Sequence, residues 1–196
     1  MNSFDRIILG VSGASGAVYG LRALEALAAA KLEVHLVISK AAEMTLAYEL
    51  GDKVRDWAAR AHRSYAPSDV GAPISSGSFR TRGMLIAPCS IRTMSEIASG
   101  VTTSLLTRAA DVVLKERRRL VLMVRESPLH LGHLRTMTAL AEMGAIIAPP
   151  VPSLYAEPQS VDDIINQSVG RALDLFDIGS PLTRRWGEDL EKGRRP

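Results

Sequence analysis

The chain has 196 residues, of which 46% are hydrophobic and 23% charged, as in a soluble globular domain large enough for one full core. Its apolar runs are too short to cross a bilayer, no secretory signal stands out at the N-terminus, and the single cysteine, Cys89, excludes an intrachain disulfide. The net charge of +3 is not interleaved with aromatic residues as in nucleic-acid binders, so we expect a cytoplasmic protein that binds neither nucleic acid nor membrane.

The first forty residues alternate as in a parallel α/β protein. Residues 6–12 form a short apolar run typical of a buried strand, residues 15–30 carry apolar side chains at the helical spacing, and residues 33–38 form a second strand. Ser39 is placed to cap the helix that follows. A strand, a helix and a strand in this order predict a parallel pair.

The later elements continue this alternation. Within an irregular stretch at 51–82 we predict one short helix, at 52–61. Further strands are expected at 83–87, 120–124 and 145–148, and further helices at 90–99, at 103–118 and after residues 130 and 160. We therefore predict one α/β domain over residues 1–180, a three-layer α/β/α sandwich with a mainly parallel, Rossmann-like or flavodoxin-like sheet, followed by a C-terminal tail at 181–196.

Glycines surround the first turn from strand to helix. Gly10, Gly13 and Gly16 lack the side chains that would keep backbone amides away from a phosphate, and the helix beginning there adds partial positive charge. The spacing is not that of a dinucleotide fingerprint, so a mononucleotide such as FMN suits it better. A tight turn without a ligand would give the same pattern.

A second candidate anion site follows the strand at 83–87. Ser90 and Thr93 place hydroxyls, and Arg92 a cation, at a predicted helix N-terminus; plain capping by Ser90 is the alternative. We expect Cys89 to be a buried packing residue, because a nucleophilic cysteine needs a histidine or a strongly electropositive site beside it.

Cations mark the end of one predicted helix and of the next strand. Arg108, Asp111 and Lys115 share one stripe of an otherwise apolar helix, and we expect these charges to point into a site, with Arg108 at the cofactor. Arg125 ends a core strand and needs a partner, either Glu126 or an anionic ligand. We expect Lys115 and Arg125 to lie near each other at one anion-binding end of the sheet.

Four further residues have two possible roles each. His130 and His133 suggest capping at a helix start more than a metal site, since no further ligand has a matching spacing. Tyr155 can either pack or donate its hydroxyl to a phosphate. Trp186, in a polar tail, is expected to pack on a neighbouring subunit or over a ligand.

Taken together, these segments resemble the flavin prenyltransferase family, UbiX, from about residue 5 to 186. The resemblance rests on six motifs in the same order, at residues 11–17, 39–42, 74–79, 88–90, 107–117 and 128–135. The chain differs slightly at Arg92, where lysine is common, and at Ser153-Leu154-Tyr155, which replaces the commoner Ala-Phe-Tyr.

The resemblance implies an enzyme that joins dimethylallyl phosphate to reduced FMN through bonds at flavin N5 and C6, with release of phosphate and without a metal. It also implies that a UbiD-type decarboxylase receives the product, and that the chain assembles as a homododecamer with active sites between subunits. FMN is expected on Gly13, Ala14, Ser15, Ser39, Ser90, Ile91, Arg92, Thr93 and Arg125. Dimethylallyl phosphate is expected on Lys115, Tyr155 and Arg171, with Arg125 and Glu126 close by and Trp186 over the substrate.

The same resemblance makes Ser15 and Glu49 a proton-handling pair beside the flavin. Either Glu49 or the departing phosphate removes the C6 proton, and dimethylallyl pyrophosphate stays open as a second donor. Two other functions also stay open: an FMN-dependent oxidative decarboxylase, whose Pro-Ala-Ser-Ala-Asn-Thr segment and catalytic histidine are not evident here, and a flavin carrier with no use for Lys115 or Arg171.

Overall fold

A computed structural model describes residues 5–189. The strands are β1 (Arg6–Val11), β2 (Glu33–Ile38), β3 (Arg63–Tyr65), β4 (Gly83–Cys89), β5 (Arg119–Val124) and β6 (Ile146–Ile147). They form one sheet in the order β3-β2-β1-β4-β5-β6, and all of its described pairings are parallel. The predicted parallel sheet is confirmed, and the short apolar runs explain it, since a parallel sheet buries both faces.

Seven helices are described. They are α1 (Ala17–Ala29), α2 (Lys40–Leu50), α3 (Val54–Ala58), α4 (Ile91–Ala98), α5 (Leu105–Lys115), α6 (Leu131–Glu142) and α7 (Val161–Asp174). The core side chains of α1, α2, α3 and α7 pack on one face of the sheet, and those of α4, α5 and α6 on the other. The three-layer prediction is therefore confirmed, and none of the described helices is long and apolar enough to span a membrane.

Three predicted boundaries were wrong. Strand β3 lies in the stretch expected to be irregular, because three residues with one buried side chain give no apolar run to detect. The helix expected at 52–61 covers only five residues. Strand β4 continues through Pro88 to Cys89, since the pairing with β5 shifts register there and the missing amide of Pro88 is not needed.

The described part of the tail packs against the domain. Thr183 is buried and Leu182 packs on the core. The partners that hold this segment are on α7, so they cannot be read from the polar composition of the tail itself. Residues 190–196 of the predicted tail lie outside the described residues.

A buried histidine joins β2 to β3. His35 is 4% exposed, its Nδ1 lies 2.8 Å from the Tyr65 hydroxyl, and its Nε2 is buried without a hydrogen-bond partner in the described part of the chain. The nearest carboxylate, Glu33, is 4.0 Å away, and His62 adds positive charge nearby. Burial, followed by the charge of His62, lowers the pKa of His35 to about 4.

We expect the fold to lose stability as pH falls through this range. The unfolded chain binds a proton at His35 near pH 6.5 and the folded chain only near pH 4, so each step down in pH between them favours unfolding. Between pH 7 and pH 5 the loss from His35 is about 2 kcal/mol. Urea unfolding of the wild type and of His35→Gln measures it: the variant should lose less stability over that range, and equal losses would contradict this role.

Candidate functional site

The main crevice lies where the strand order reverses, between β1 and β4. From β1 the chain continues outward to β2, whereas from β4 it continues to β5 on the other side. The loops at the carboxyl ends of these strands therefore diverge and leave a cavity of about 340 Å³, which we call the crevice. It is lined by five residues that the sequence assigned to the cofactor, Gly13, Ser39, Ser90, Arg92 and Thr93.

The glycine turn after β1 makes room for the next helix. A Cβ on Gly13 would lie 2.5 Å from the Cβ of Ala41, in the first turn of α2, so only glycine allows these backbones to approach. Gly16, with φ of 101°, occupies the left-handed region just before α1. Ala14 and Ser15 lie between these glycines, in the turn from β1 to α1, and are not among the residues that line the crevice.

Ser12 connects the two loops, and sequence reasoning missed it. Its buried hydroxyl donates to the carbonyl of Pro88 at 2.9 Å and accepts from the amide of Ser90 at 2.7 Å. Ser12 thereby ties the glycine turn to the start of α4 across the crevice. The only available signal was a small hydroxyl residue ending a buried strand, which is also common in turns without a ligand.

Ser12→Ala is expected to weaken both the fold and the cofactor site. The variant leaves the half-buried Ser90 amide without its acceptor, which costs about 1 to 2 kcal/mol of unfolding free energy. It also frees the two loops, so the affinity for FMN, the ligand predicted for the crevice, should fall about tenfold. Urea unfolding and flavin-fluorescence titration measure these effects against Ser99→Ala, whose hydroxyl is exposed; equal behaviour of the two variants would contradict the role.

The N-terminus of α4 points its first amides toward the crevice. Ser90 caps this helix, accepting from the Thr93 amide at 3.3 Å, and Ile91 is its first residue. Arg92 turns outward, with its side chain 82% exposed and bound to Glu96 at 2.9 Å. Ser90 therefore caps the helix, as the alternative interpretation predicted. The other amides of the first turn and the nearby Arg92 can still bind an anion.

Glu49 and Ser15 meet at the start of α1. The Glu49 carboxylate accepts from the amides of Gly16 at 2.9 Å and Ala17 at 2.8 Å, and the Ser15 hydroxyl also bonds to it. Burial raises the pKa of Glu49, but these three hydrogen bonds and the charge of Arg125 outweigh it and hold the pKa below the usual value. Glu49 is thus an ionised carboxylate that replaces the side-chain cap Gly16 cannot supply.

Arg125 lies at the carboxyl end of β5, next to the crevice. Its amide donates to the carbonyl of Cys89 at 3.1 Å, and its exposed side chain acts electrostatically on Glu49 and Tyr19. The carboxylate of Glu126 accepts from the amide of Ser127 at 3.0 Å instead of pairing with Arg125. Glu126 was one of the two partners predicted for Arg125, and the structure does not show that pairing.

Lys115 and Arg125 of the same protomer do not lie near each other, so that prediction was wrong. Helix α5 begins beside the crevice at Leu105 and runs to the opposite end of the sheet, where Lys115 binds Glu116 at 2.5 Å. Strand β5 then separates the two cations by about 20 Å. A helix that precedes a parallel strand must end at that strand's amino end, so the two positions cannot coincide.

Arg108 likewise does not line the crevice. Its guanidinium binds Asp111 at 2.7 Å and the carbonyl of Ser75 at 3.3 Å. It therefore belongs to the same outer surface as Lys115, beside the loop at 75–79. The predicted contact of Arg108 with the cofactor is not made within this protomer.

Three of the residues that the family resemblance assigns to the substrate, Tyr155, Arg171 and Trp186, lie together. They line a second cavity of about 270 Å³, which we call the α7 pocket. The rings of Tyr155 and Trp186 meet edge to face with centroids 5.7 Å apart, and Arg171 binds Asp174 at 2.8 Å. The pocket lies on the α7 side of the sheet, so the whole sheet stands between it and Lys115.

Two other predicted interpretations are confirmed. Cys89 is fully buried, and burial raises the pKa of its thiol to about 12, which makes it inert as a nucleophile. His130 caps α6 by accepting from the amide of Gly132 at 3.0 Å, and its ring stacks on His133. Among residues 5–189, no cluster of three or more histidine, cysteine or acidic side chains is arranged to hold a metal.

Comparison with known proteins gives matches over almost the whole chain. The Flavoprotein family model matches residues 1–173. The flavin prenyltransferase UbiX of Thauera aromatica is 54% identical over 187 residues, which cover 95% of this chain and 96% of that protein.

Two solved structures are similar in both sequence and shape. AnUbiX (PadA1), in complex with FMN and dimethylallyl pyrophosphate, has a TM-score of 0.91 at 47% identity and covers 93% of this chain and 97% of its own. A dodecameric FMN-dependent UbiX-like decarboxylase from Escherichia coli O157:H7 has a TM-score of 0.90 at 48% identity and covers 92% and 98%. The likeness therefore spans the crevice, α5 and α7 alike.

Proposed function

This chain belongs to the UbiX family of flavin prenyltransferases, and we propose that it transfers the dimethylallyl group of dimethylallyl phosphate to reduced FMN. The allylic C–O bond breaks and phosphate leaves with the electron pair as flavin N5 bonds to the isoprenoid. The isoprenoid double bond then takes up a proton, its tertiary carbon bonds to flavin C6, and C6 loses its proton. One observation carries the proposal: the fold holds a mononucleotide-sized crevice at the strand switch point and, apart from it, two clusters of cations that suit a second phosphorylated ligand.

The crevice suits FMN because the three segments that form it offer backbone amides, hydroxyls and a helix N-terminus. Gly13, Ala14 and Ser15 come from the turn after β1, Ser39 from the turn after β2, and Ser90, Ile91, Arg92 and Thr93 from the start of α4. We assign the flavin ring to the edge formed by Ser15, Glu49 and Arg125. Glu49 and Arg125 carry charge at this edge, and Ser15 is hydrogen-bonded to Glu49.

The prenyl donor is proposed to bind where different protomers meet. Lys115 and the α7 pocket lie on opposite faces of one sheet, so both can reach the same phosphate only if they come from different copies of the chain. The relative from Escherichia coli O157:H7 is dodecameric, which supports an assembly of this kind. We accordingly propose a homododecamer whose active sites combine the crevice of one protomer with Lys115 and the α7 pocket of neighbours.

Fixed cations lower the barrier to departure of phosphate. Charge develops on the leaving oxygens, and Lys115, Arg125 and Arg171 are proposed to stabilise it, with a hydrogen bond from the Tyr155 hydroxyl. The allylic fragment becomes cation-like, and the exposed face of Trp186 suits it. Because these residues supply the positive charge, we propose that no metal takes part, and activity should be unchanged by EDTA.

Proton handling is assigned to the ionised pair at the start of α1. The lowered pKa of Glu49 keeps it a carboxylate, and the Ser15 hydroxyl bonded to it lies beside the proposed flavin edge. A carboxylate with a low pKa is a weak base, so the departing phosphate is proposed as the acceptor of the C6 proton. Glu49 is then proposed to orient the Ser15 hydroxyl and to balance the charge of Arg125. Glu126, near Arg125, is proposed to act on the donor side.

The product is proposed to serve a UbiD-type decarboxylase, as the family resemblance implies. An oxidative decarboxylase is the less favoured alternative, because none of the described side chains that line the crevice is a histidine. A flavin carrier would leave the cations of the α7 pocket and of α5 unused.

Anaerobic incubation with reduced FMN and dimethylallyl phosphate tests the proposal. Mass spectrometry of the released flavin should show FMN heavier by one five-carbon unit, formed equally in the presence of EDTA. Unmodified FMN, recovered from protein that had bound both ligands, would reject the prenyltransferase and favour the carrier. Dimethylallyl pyrophosphate in a parallel reaction determines whether it also serves as donor.

A further inference from the structure

One segment after α7 folds back along that helix and forms a wall of the α7 pocket. Residues 183–186, which we call the strap, include Trp186 and end against Tyr155. Three residues of α7 hold the strap: Gln167, Gly170 and Asp174. None of these three residues has been assigned a ligand role above.

Gln167 is the first of these residues. It is 4% exposed, and its amide binds the strap backbone in both directions: Nε2 donates to the carbonyl of Arg184 at 3.0 Å, and Oε1 accepts from the amide of Arg184 at 2.8 Å. Nε2 also donates to the Tyr155 hydroxyl at 3.3 Å. One buried side chain therefore fixes both the strap and the hydroxyl that faces the pocket.

Gly170, one turn further along α7, lets the strap lie close. A Cβ there would stand 2.0 Å from the hydroxyl oxygen of Thr183 and 3.3 Å from the Cβ of Leu182. Its φ is not in the left-handed region, so alanine would suit the helix itself and would collide only with the strap.

Asp174 is the third of these residues and joins the strap to a pocket cation. Its carboxylate, 15% exposed, binds Arg185 at 2.7 Å and Arg171 at 2.8 Å. The strap therefore sets where Arg171 stands, through a carboxylate shared between the two guanidinium groups.

We propose that Gln167 is a positioning residue for the prenyl donor. It holds the strap on α7, so that the Tyr155 hydroxyl, Arg171 and Trp186 converge on one phosphate-bearing ligand. This inference rests on the proposed function, since it assumes that the α7 pocket receives dimethylallyl phosphate. Gln167 itself faces the strap and the Tyr155 hydroxyl, and it acts through them.

The role predicts a specific kinetic pattern. Loosening the strap removes ground-state contacts to the donor, so KM for dimethylallyl phosphate rises while kcat changes little. The crevice is built from other loops, so FMN affinity should not move. A merely structural role would instead lower stability without separating the two ligands.

Two variants test the role. Gln167→Met keeps the length of the side chain without its hydrogen bonds, and Gly170→Ala pushes the strap away without removing any polar group. We expect each to raise KM for dimethylallyl phosphate about tenfold, with kcat within about threefold and FMN affinity unchanged. Ser168→Ala, on the same helix but bonded only to the Ile164 carbonyl, serves as the matched control.

The outcomes separate the two proposals. If the wild type makes no prenylated flavin, the proposed function fails whatever the variants do. If the wild type is active and Gly170→Ala keeps the KM of Ser168→Ala, the positioning role is overturned, even where Gln167→Met folds poorly. Equal loss of FMN and donor affinity in both variants would also overturn it, because the strap would then support the fold at large.

Discussion

Lys115→Ala is expected to abolish prenyl transfer and leave FMN binding unchanged. Lys115 ends α5, where its ammonium group binds Glu116 against the loop at 75–79, at the opposite end of the sheet from its own crevice. Its proposed role is to stabilise the departing phosphate of the donor, and removing one such fixed charge costs about 100-fold to 1,000-fold in rate. FMN is proposed to bind other loops, so it should lose no contact.

The measurement is single-turnover formation of prenylated flavin, combined with flavin-fluorescence titration. Lys53→Ala, which removes an exposed lysine elsewhere, controls for the change in net charge. Lys115→Arg should recover part of the rate, since it keeps the positive charge with a different shape. A Lys115→Ala enzyme with wild-type turnover would remove this residue from the chemistry and favour the flavin carrier.

The layers of the fold were predictable because each strand and helix carries its own signal. The apolar runs at β1, β2, β4 and β5 are each buried on both faces, and such runs are visible without any knowledge of the partners. Strand β3 has no such run, because it is held at the sheet edge by pairing with β2 and by contacts of Tyr65 with His35. These contacts form only when distant segments meet in the folded chain, so the sequence of β3 alone does not reveal them.

The site shows the same division between local and distant information. The glycine turn and the Ser90 cap are local patterns, and the structure places both at the crevice. Ser12 and Gln167 act through hydrogen bonds to residues 78 and 17 positions away, so neither stands out in the sequence. Glu49 entered only through family resemblance, and its bonds to the α1 amides provide the physical reason for its position.

The error about Lys115 and Arg125 has a further consequence for assembly. Lys115 and Arg125 were expected to be near each other in space, whereas the structure places one at each end of β5. If both contact the same substrate, the second copy of the chain is a necessary part of the active site. The oligomer would then be required for catalysis itself.

Mixing two inactive chains should therefore restore activity. In a randomly mixed assembly of Lys115→Ala and Arg171→Ala chains, about a quarter of the sites should receive both wild-type residues if, as proposed, Lys115 and Arg171 of one site come from different protomers. Co-expression with two different affinity tags and tandem purification gives the mixed assembly, and its turnover should reach about a quarter of wild type.

The matched control mixes Tyr155→Ala with Arg171→Ala. Both residues line the α7 pocket of one protomer, so every site in that mixture lacks one of them, and activity should stay at the level of the single variants. Recovery in the first mixture and none in the second would locate Lys115 and the α7 pocket on different chains. Equal behaviour of the two mixtures would mean that Lys115 and Arg171 do not meet across an interface, and a role for Lys115 in donor binding would have to be given up.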